Sequence, residues 1–273
     1  MRNGGYTGIQ PEKGRKEMDK IKVLFAGESW FFTTIETKGF DQFTIGGYET
    51  EIERIRAVMK DYAEITHIPA HLVLQEFPDS VEKLSAYDVV IVSDVGANTF
   101  LLHPDTFFRS RTTPNRLEVI REYVAKGGAF GMMGGYMTFM GFEGKGKWKG
   151  TAVEEILPVR MMGGDDRQEH PEGVRIRICP GSHPVLEGLP EEWLPLLGYN
   201  RLFAREDAEV VVSYENDPIL TLRNYEKGRT FAWASDCAPH WMPAEFCESD
   251  CNKRLWENVL RWAAGKPAGQ GVR

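Results

Sequence analysis

Three stretches of this sequence are apolar almost without interruption: residues 21–26 (IKVLFA), 87–92 (YDVVIV) and 129–133 (AFGMM). Runs of that length and continuity suit strands buried on both faces, as in a parallel sheet covered by helices. Between them the period changes. Ile52, Ile55, Met59 and Tyr62 recur at spacings of three and four, which predicts an amphipathic helix over 49–62. A second helix is expected to start at Thr113-Pro114, as N-cap and first helical residue. It carries Leu117, Ile120 and Val124 on one face and stops at Gly127-Gly128. A further strand is expected at 65–68. Strand and helix in alternation, with short links, predict an α/β doubly wound, mostly parallel sheet.

After Gly150 the pattern shifts. Residues 151–157 read as a short helix ended by Pro158, and 174–178 alternate apolar residues with Arg. Residues 210–214, 219–222 and 230–234 read as consecutive short strands with turns at 215–218 and 225–228. A helix over 252–264 carries Leu255, Val259 and Trp262. Trp193, Trp241, Trp256 and Trp262 suit packing anchors. No Pro-, Gly- or Ser-rich linker divides the chain and no internal repeat is present. One domain over 21–265 is expected, after a disordered leader at 1–20 (with Met18 as an alternative start) and before a tail at 266–273.

Charge and cysteine content bound the partners. Lys and Arg total 33 against 40 Asp and Glu, a net charge of −7. That balance weighs against a nucleic acid or an anionic membrane surface. Residues 1–20 have no apolar core and so do not read as a secretory signal. The longest uncharged run, 127–142, holds six glycines and is too short to span a bilayer. Four cysteines, three of them in the last 40 residues, argue against a disulfide framework, and a reducing, cytoplasmic setting is expected.

Motifs for nucleotides fall short. Gly141 to Trp148 (GFEGKGKW) fits G-x-x-x-x-G-K but ends in Trp where a P-loop needs a hydroxyl for magnesium, so a solvated lysine loop is expected. No G-x-G-x-x-G follows a strand, and no dinucleotide cofactor is indicated. Cys237, His240, Cys247 and Cys251 have the ligand types of a tetrahedral zinc site. They lack paired C-x-x-C spacing, and free thiols are the simpler reading, so no cofactor is favoured. The acidic cluster 165–170 (DDRQEH) reads as a solvated loop, and His67 and His71, flanking Pro69, as loop residues.

In open α/β sheets, ligands bind beyond the carboxyl ends of the strands. Four such ends carry polar residues: Gly27-Glu28-Ser29, Ser93-Asp94 through Asn98, Gly134-Gly135-Tyr136-Met137-Thr138, and Ser235-Asp236 through His240. The stretches 93–99 (SDVGANT), 134–141 (GGYMTFMG), 165–167 (DDR), 198–200 (GYN) and 235–241 (SDCAPHW) resemble the class I glutamine amidotransferase-like superfamily. The likeness is to its branch of amidotransferase-like cytoplasmic proteins, and it runs over about 20–264. ThuA-like trehalose-utilisation proteins are similar more distantly. The resemblance implies a flavodoxin-like sheet with a strand, Gly-Gly turn and helix at 129–142.

The resemblance also implies a cysteine nucleophile on that turn, activated by a strained elbow and a helix N-terminus. This sequence has Gly135-Tyr136-Met137-Thr138 there, without Cys or Ser. The downstream histidine of the family stands in His-Pro-Glu, whereas here the order is Pro239-His240-Trp241. Glutamine hydrolysis through a Cys-His-Glu triad is therefore expected to be lost. What remains is Asp236 or His240 as acid–base group, Tyr136 as oxyanion donor, and Glu28, Ser29, Asp94, Asn98, Gly135 and Thr138 as ligand contacts. The expected ligand is a small polar metabolite, sugar- or amide-related. A non-catalytic binding protein, a homo-oligomeric scaffold and the zinc variant stand as alternatives.

Overall fold

The computed structural model describes residues 20–181 and 183–267. The expected leader and tail lie outside those residues except for Lys20, Lys266 and Pro267, and so does Met18.

The chain opens with β1 (Ile21–Gly27), followed at once by a long hairpin, β2 (Ser29–Lys38) and β3 (Asp41–Thr50). Then come α1 (Ile52–Met59), β4 (Ala63–Ile68), α2 (Ala70–Glu76), α3 (Val81–Leu84) and β5 (Val89–Ser93). Three helices, α4 (Ala97–Leu101), α5 (Pro104–Arg109) and α6 (Arg116–Ala125), lead to β6 (Ala129–Met133). The second half carries α7 (Ala152–Ile156), β7 (Val159–Met161), β8 (Arg167–Val174), β9 (Arg177–Ile178), β10 (Leu196–Asn200) and β11 (Leu202–Ala204). It closes with β12 (Glu209–Tyr214), β13 (Asp217–Tyr225), β14 (Gly228–Trp233), α8 (Ala244–Cys247) and α9 (Asp250–Ala263).

Eight strands form the main sheet in the order β4-β1-β5-β6-β14-β13-β12-β9. The first five run parallel, and β13, β12 and β9 add on antiparallel. The protein is thus an α/β doubly wound sheet with short extra strands in its C-terminal half, as the sequence predicts. The near-continuous apolar runs are the strands buried on both faces: β5, β6 and all of β1 but Lys22 lie in the core. Helix α9 turns Leu255, Trp256, Val259 and Leu260 inward and packs on α1, while α2 contacts α4, α4 contacts α6 and α6 contacts α7.

Several expectations are corrected. The 49–62 helix begins only at Ile52, because Glu49 and Thr50 complete the β2–β3 pairing. Nothing in the sequence reading placed that hairpin. The α6 N-cap is Asn115, whose Oδ1 accepts from Leu117 N and Glu118 N, and Thr113-Pro114 precede it. His67 sits in β4 and His71 in α2, neither in a loop. Residues 167–170 belong to β8, and Asp166 is fully buried, so the acidic cluster is not a solvated loop. In the lysine loop, Trp148 is fully buried and donates Nε1–H to Val95 O at 3.1 Å, which packs the segment against the β5–α4 turn.

Candidate functional site

The order β4-β1-β5-β6-β14 makes β1 the strand from which the chain winds first one way and then the other. The switch therefore lies between the carboxyl ends of β1 and β5. Gly27 ends β1 at φ +108, and a Cβ there would stand 1.8 Å from Ser93 O, so only glycine lets the two strand ends close. The next residues out, Glu28 on β1 and Asp94 on β5, both adopt left-handed backbone at φ 52 and φ 46. For non-glycine residues that conformation costs of order 1 kcal/mol each and concentrates at functional sites.

Glu28 is buried. Its Oε2 accepts from Ser93 Oγ at 2.6 Å and lies 3.5 Å from Cys237 Sγ, which the turn after β14 supplies. Burial, with Asp236 and Asp94 adding negative charge, raises the Glu28 carboxyl well above its ordinary range. Glu28, Asp236 and Cys237 each place a ligand atom within 4.8 Å of the others, and among the described residues they form the one grouping with metal-ligand potential. Burial and the neighbouring carboxyls push the Cys237 thiol well up, the reverse of what a nucleophile or a soft-metal ligand needs.

Above this buried layer sits the exchangeable chemistry. Asp94 is raised to about 6, first by burial and then by Asp236, although Met137 N donates to its Oδ1 at 2.8 Å. His240 Nδ1 stands 3.5 Å from Asp236 Oδ2. Asp236 raises the histidine above its usual value, against a smaller opposing effect of burial, and Glu169 and Asp94 add to it. The His240 side chain is 42% exposed, so a solute reaches it. The Asp236 carboxylate is itself fixed, since its Oδ1 accepts from Cys237 N and Ala238 N at 2.7 and 3.2 Å.

Tyr136 stands edge-on to His240, with centroids 4.5 Å apart, and near Trp241 at 5.8 Å. Its hydroxyl donates to Glu169 Oε1 at 3.1 Å, while Trp241 Nε1–H donates to Glu169 Oε2 at 2.9 Å. The Arg167 guanidinium lies over both the Tyr136 and Phe142 rings, at 4.6 and 4.3 Å. Burial and Glu169 raise the phenol further. Donation by Tyr136 to an oxyanion therefore requires it to leave Glu169; its present contribution is to support the His240 ring.

The turn after β6 departs from the expected elbow in a second way besides the missing thiol. No helix follows β6: residues 134–141 are irregular and lead only to a 3-10 turn at Phe142–Gly144. Glycines at positive φ (Gly135, Gly141, Gly144) interrupt the segment, and buried side chains hold it instead. Asn200 Oδ1 accepts from Gly135 N, and its Nδ2 donates to Gly135 O and Asp166 Oδ1. Asp166 accepts from Met140 N at 2.9 Å and Gly141 N at 2.7 Å. With neither thiol nor helix N-terminus, both halves of the thiolate device are absent from this turn.

Of the residues the sequence points to, Glu28, Asp94, Gly135, Tyr136, Asp236 and His240 come together at the strand ends. Ser29 does not line the site, since its buried hydroxyl accepts from Ala70 N and ties β2 to α2. Asn98 is exposed on α4, and Thr138 is fully buried within the glycine-rich segment. The zinc quartet does not assemble: Cys237 faces Glu28 and Ser93, whereas Cys247 Sγ points to Met242 O. Ser93, Glu169 and the holding pair Asp166–Asn200 were missed as functional residues. Ser93, Asp166 and Asn200 stood in the stretches 93–99, 165–167 and 198–200, and Glu169 in the acidic cluster 165–170, but nothing local assigned them these contacts.

Residues 22–265 match the model of a family described as putative glutamine amidotransferase. Among solved structures, the cytoplasmic protein STM3548 from Salmonella typhimurium is 43% identical, over 89% of this chain and 99% of that one, with a TM-score of 0.85. The cytoplasmic protein STM1381 from Salmonella typhimurium LT2 is 39% identical over the same shares, also at 0.85. A putative ThuA-like protein from Parabacteroides merdae shares the fold at 13% identity, over 93% of each chain, with a TM-score of 0.56. No curated protein matches the sequence.

Proposed function

The chain belongs to the putative glutamine amidotransferase family, and we propose that it is a thiol-independent acid–base enzyme of that family, hydrolysing a small polar, sugar- or amide-related metabolite. The observation that carries this reading is the His240–Asp236 contact at 3.5 Å, with the imidazole open to solvent and Asp94 held near pKa 6 beside it. Protonated His240 gives its proton to the leaving group, and Asp236 keeps the imidazolium in place. Asp94, ionised above about pH 6, takes a proton from the attacking water. Buried Glu28 lies beneath them, its carboxyl raised well above its ordinary range by burial and by the two aspartates.

The family match supports one domain over 21–265, and the acidic balance supports a small-molecule ligand over nucleic acid or membrane. Among the described residues no helix is long and apolar enough to cross a membrane. The two similar Salmonella proteins are named as cytoplasmic proteins, and the same setting is proposed for this chain. No metal or organic cofactor enters the proposed chemistry.

A thermal-shift screen of sugars, sugar acids and amides against wild type and His240→Ala tests the reading. Stabilising ligands are expected for wild type, with the shift lost or much reduced in the variant. No stabilised hit in wild type, or equal shifts in both, contradicts it.

A further inference from the structure

The β2–β3 hairpin has no third strand among the described residues. Its strands pair ten residues against ten, from Ser29↔Thr50 to Lys38↔Asp41, without a bulge. At about 3.3 Å per residue the arm is roughly 30 Å long. Gly39, at φ +66, gives the two-residue turn the positive φ it needs. The root is fixed: Phe31, Tyr48 and His71 of α2 form a ring cluster with centroids 5.0–5.4 Å apart. Beyond it the arm stands clear.

What it exposes is apolar on both faces. Cross-strand partners share a face, so Phe31, Ile35 and Tyr48 lie on one side. Trp30, Phe32, Phe43 and Ile45 lie on the other, and Phe40 caps the tip, fully exposed. Exposure ranges from 36% for Trp30 to 67% for Phe31 along the strands. At about 200 Å² per large side chain, the eight residues offer roughly 850 Å² of apolar-residue surface. An isolated two-stranded hairpin is marginal in water, and a long apolar one with two free edges is a pairing hazard.

We propose that this hairpin is an assembly arm that docks on a second copy of the chain. The area fits an arm clasped on both faces: roughly 850 Å² matches the ~800 Å² that each partner brings to a stable interface, while one face with the tip alone brings roughly 500 Å². The same chain also carries an apolar receiving patch, since Phe107 and Phe108 on α5 are 62% and 78% exposed and pack edge-to-face. Arm and patch lie in the connections that leave the carboxyl ends of the adjacent strands β1 and β5, so a twofold exchange lets each copy give one arm and receive one. Charge argues against the other destinations of an aromatic hairpin. Residues 29–50 hold one cation, Lys38, against Glu36, Asp41 and Glu49, which disfavours anionic lipid or nucleic acid. The inference is independent of the chemistry assigned to His240.

Sedimentation velocity of the full chain at micromolar concentration is the test. Wild type is expected at twice the chain mass or a higher multiple, and Ile35→Lys/Phe43→Lys at the chain mass. Phe40→Ser, changed only at a fully exposed tip, guards against misfolding as the cause and is expected to weaken association about tenfold or more. A monomeric wild type overturns the proposal, as does full assembly of both variants. Flotation of monomeric wild type with phosphatidylcholine–phosphatidylglycerol vesicles, abolished by Phe40→Ser, overturns it in favour of a membrane.

Discussion

Asp236 Oδ2 stands 3.5 Å from Nδ1 of a half-exposed His240, one turn further along the same loop. The carboxylate is anchored by two backbone amides, and the His240 ring packs edge-on to Tyr136 and stacks on Trp241. Asp236 is the largest influence on its proton affinity.

The His240 imidazole in wild type should therefore titrate above 6.5, and Asp236→Asn should lower it, because burial is then opposed only by the smaller effects of Glu169 and Asp94. An NMR titration of the ring protons reads both. The sign for stability follows. A folded pKa above the unfolded one means the pair stabilises fully below about pH 6.5 and fades as pH rises through the folded value. Titration at an unshifted 6.5 in wild type contradicts the pairing.

Asp94 runs against stability. Its carboxyl is raised from 3.8 to about 6, so the native state binds more protons than the unfolded chain between those values. Stability should fall as pH rises across that window, by about 2–3 kcal/mol, and stay lower above it. Asp94→Asn retains an acceptor for Met137 N and should flatten the dependence. Urea denaturation at pH 4 to 8 checks this, and an unchanged slope in the variant refutes it.

Gly134→Ala probes the packing under the site. A Cβ there would stand 2.3 Å from the backbone oxygen of Ala234 and 2.7 Å from Asn200 Oδ1, so β6, β14 and the Asn200 contact must all shift. A loss of about 1–3 kcal/mol is expected in denaturant unfolding. Gly163→Ala, with open space around it, should cost far less.

Adjacent acids should behave very differently. Asp166 is fully buried and holds Met140 N, Gly141 N and Asn200, so Asp166→Ala should cost about 2–4 kcal/mol by orphaning those donors. Asp165 pairs with Arg167 near the surface and is lowered to about 2. Asp165→Ala should cost under about 1 kcal/mol. Equal losses would mean that the glycine-rich segment is held in some other way.

That contrast shows what local sequence conveys. β1, β5 and β6 were legible because strands buried on both faces write themselves as unbroken apolar runs. The hairpin was not: three aromatic residues in a row, Trp30 to Phe32, on an arm exposed on both faces give neither alternation nor a continuous run. Asp165 and Asp166 look alike in the sequence. Only the fold, by bringing the 139–141 amides and Asn200 against one of them, makes it a structural residue. The strand ends were legible as a group, since Glu28, Asp94, Tyr136, Asp236 and His240 each follow a readable strand. Ser29 was misplaced because a hydroxyl near a strand end faces the backbone as readily as the ligand, whereas Thr138 is buried with its Oγ1 unpartnered among the described residues. The placement of Cys237 under the acids needed the approach of β14 toward β1 across two intervening strands.

The central claim is that His240 and Asp94 carry the chemistry without a thiol. Turnover of a ligand found by thermal shift, measured against pH for wild type and His240→Ala, tests it most directly. The account predicts a wild-type profile that rises near pH 6 with Asp94 and falls above 6.5 with His240, survives iodoacetamide, and drops about 100-fold or more in the variant. Turnover that persists in His240→Ala, or that iodoacetamide abolishes in native wild type, would contradict it.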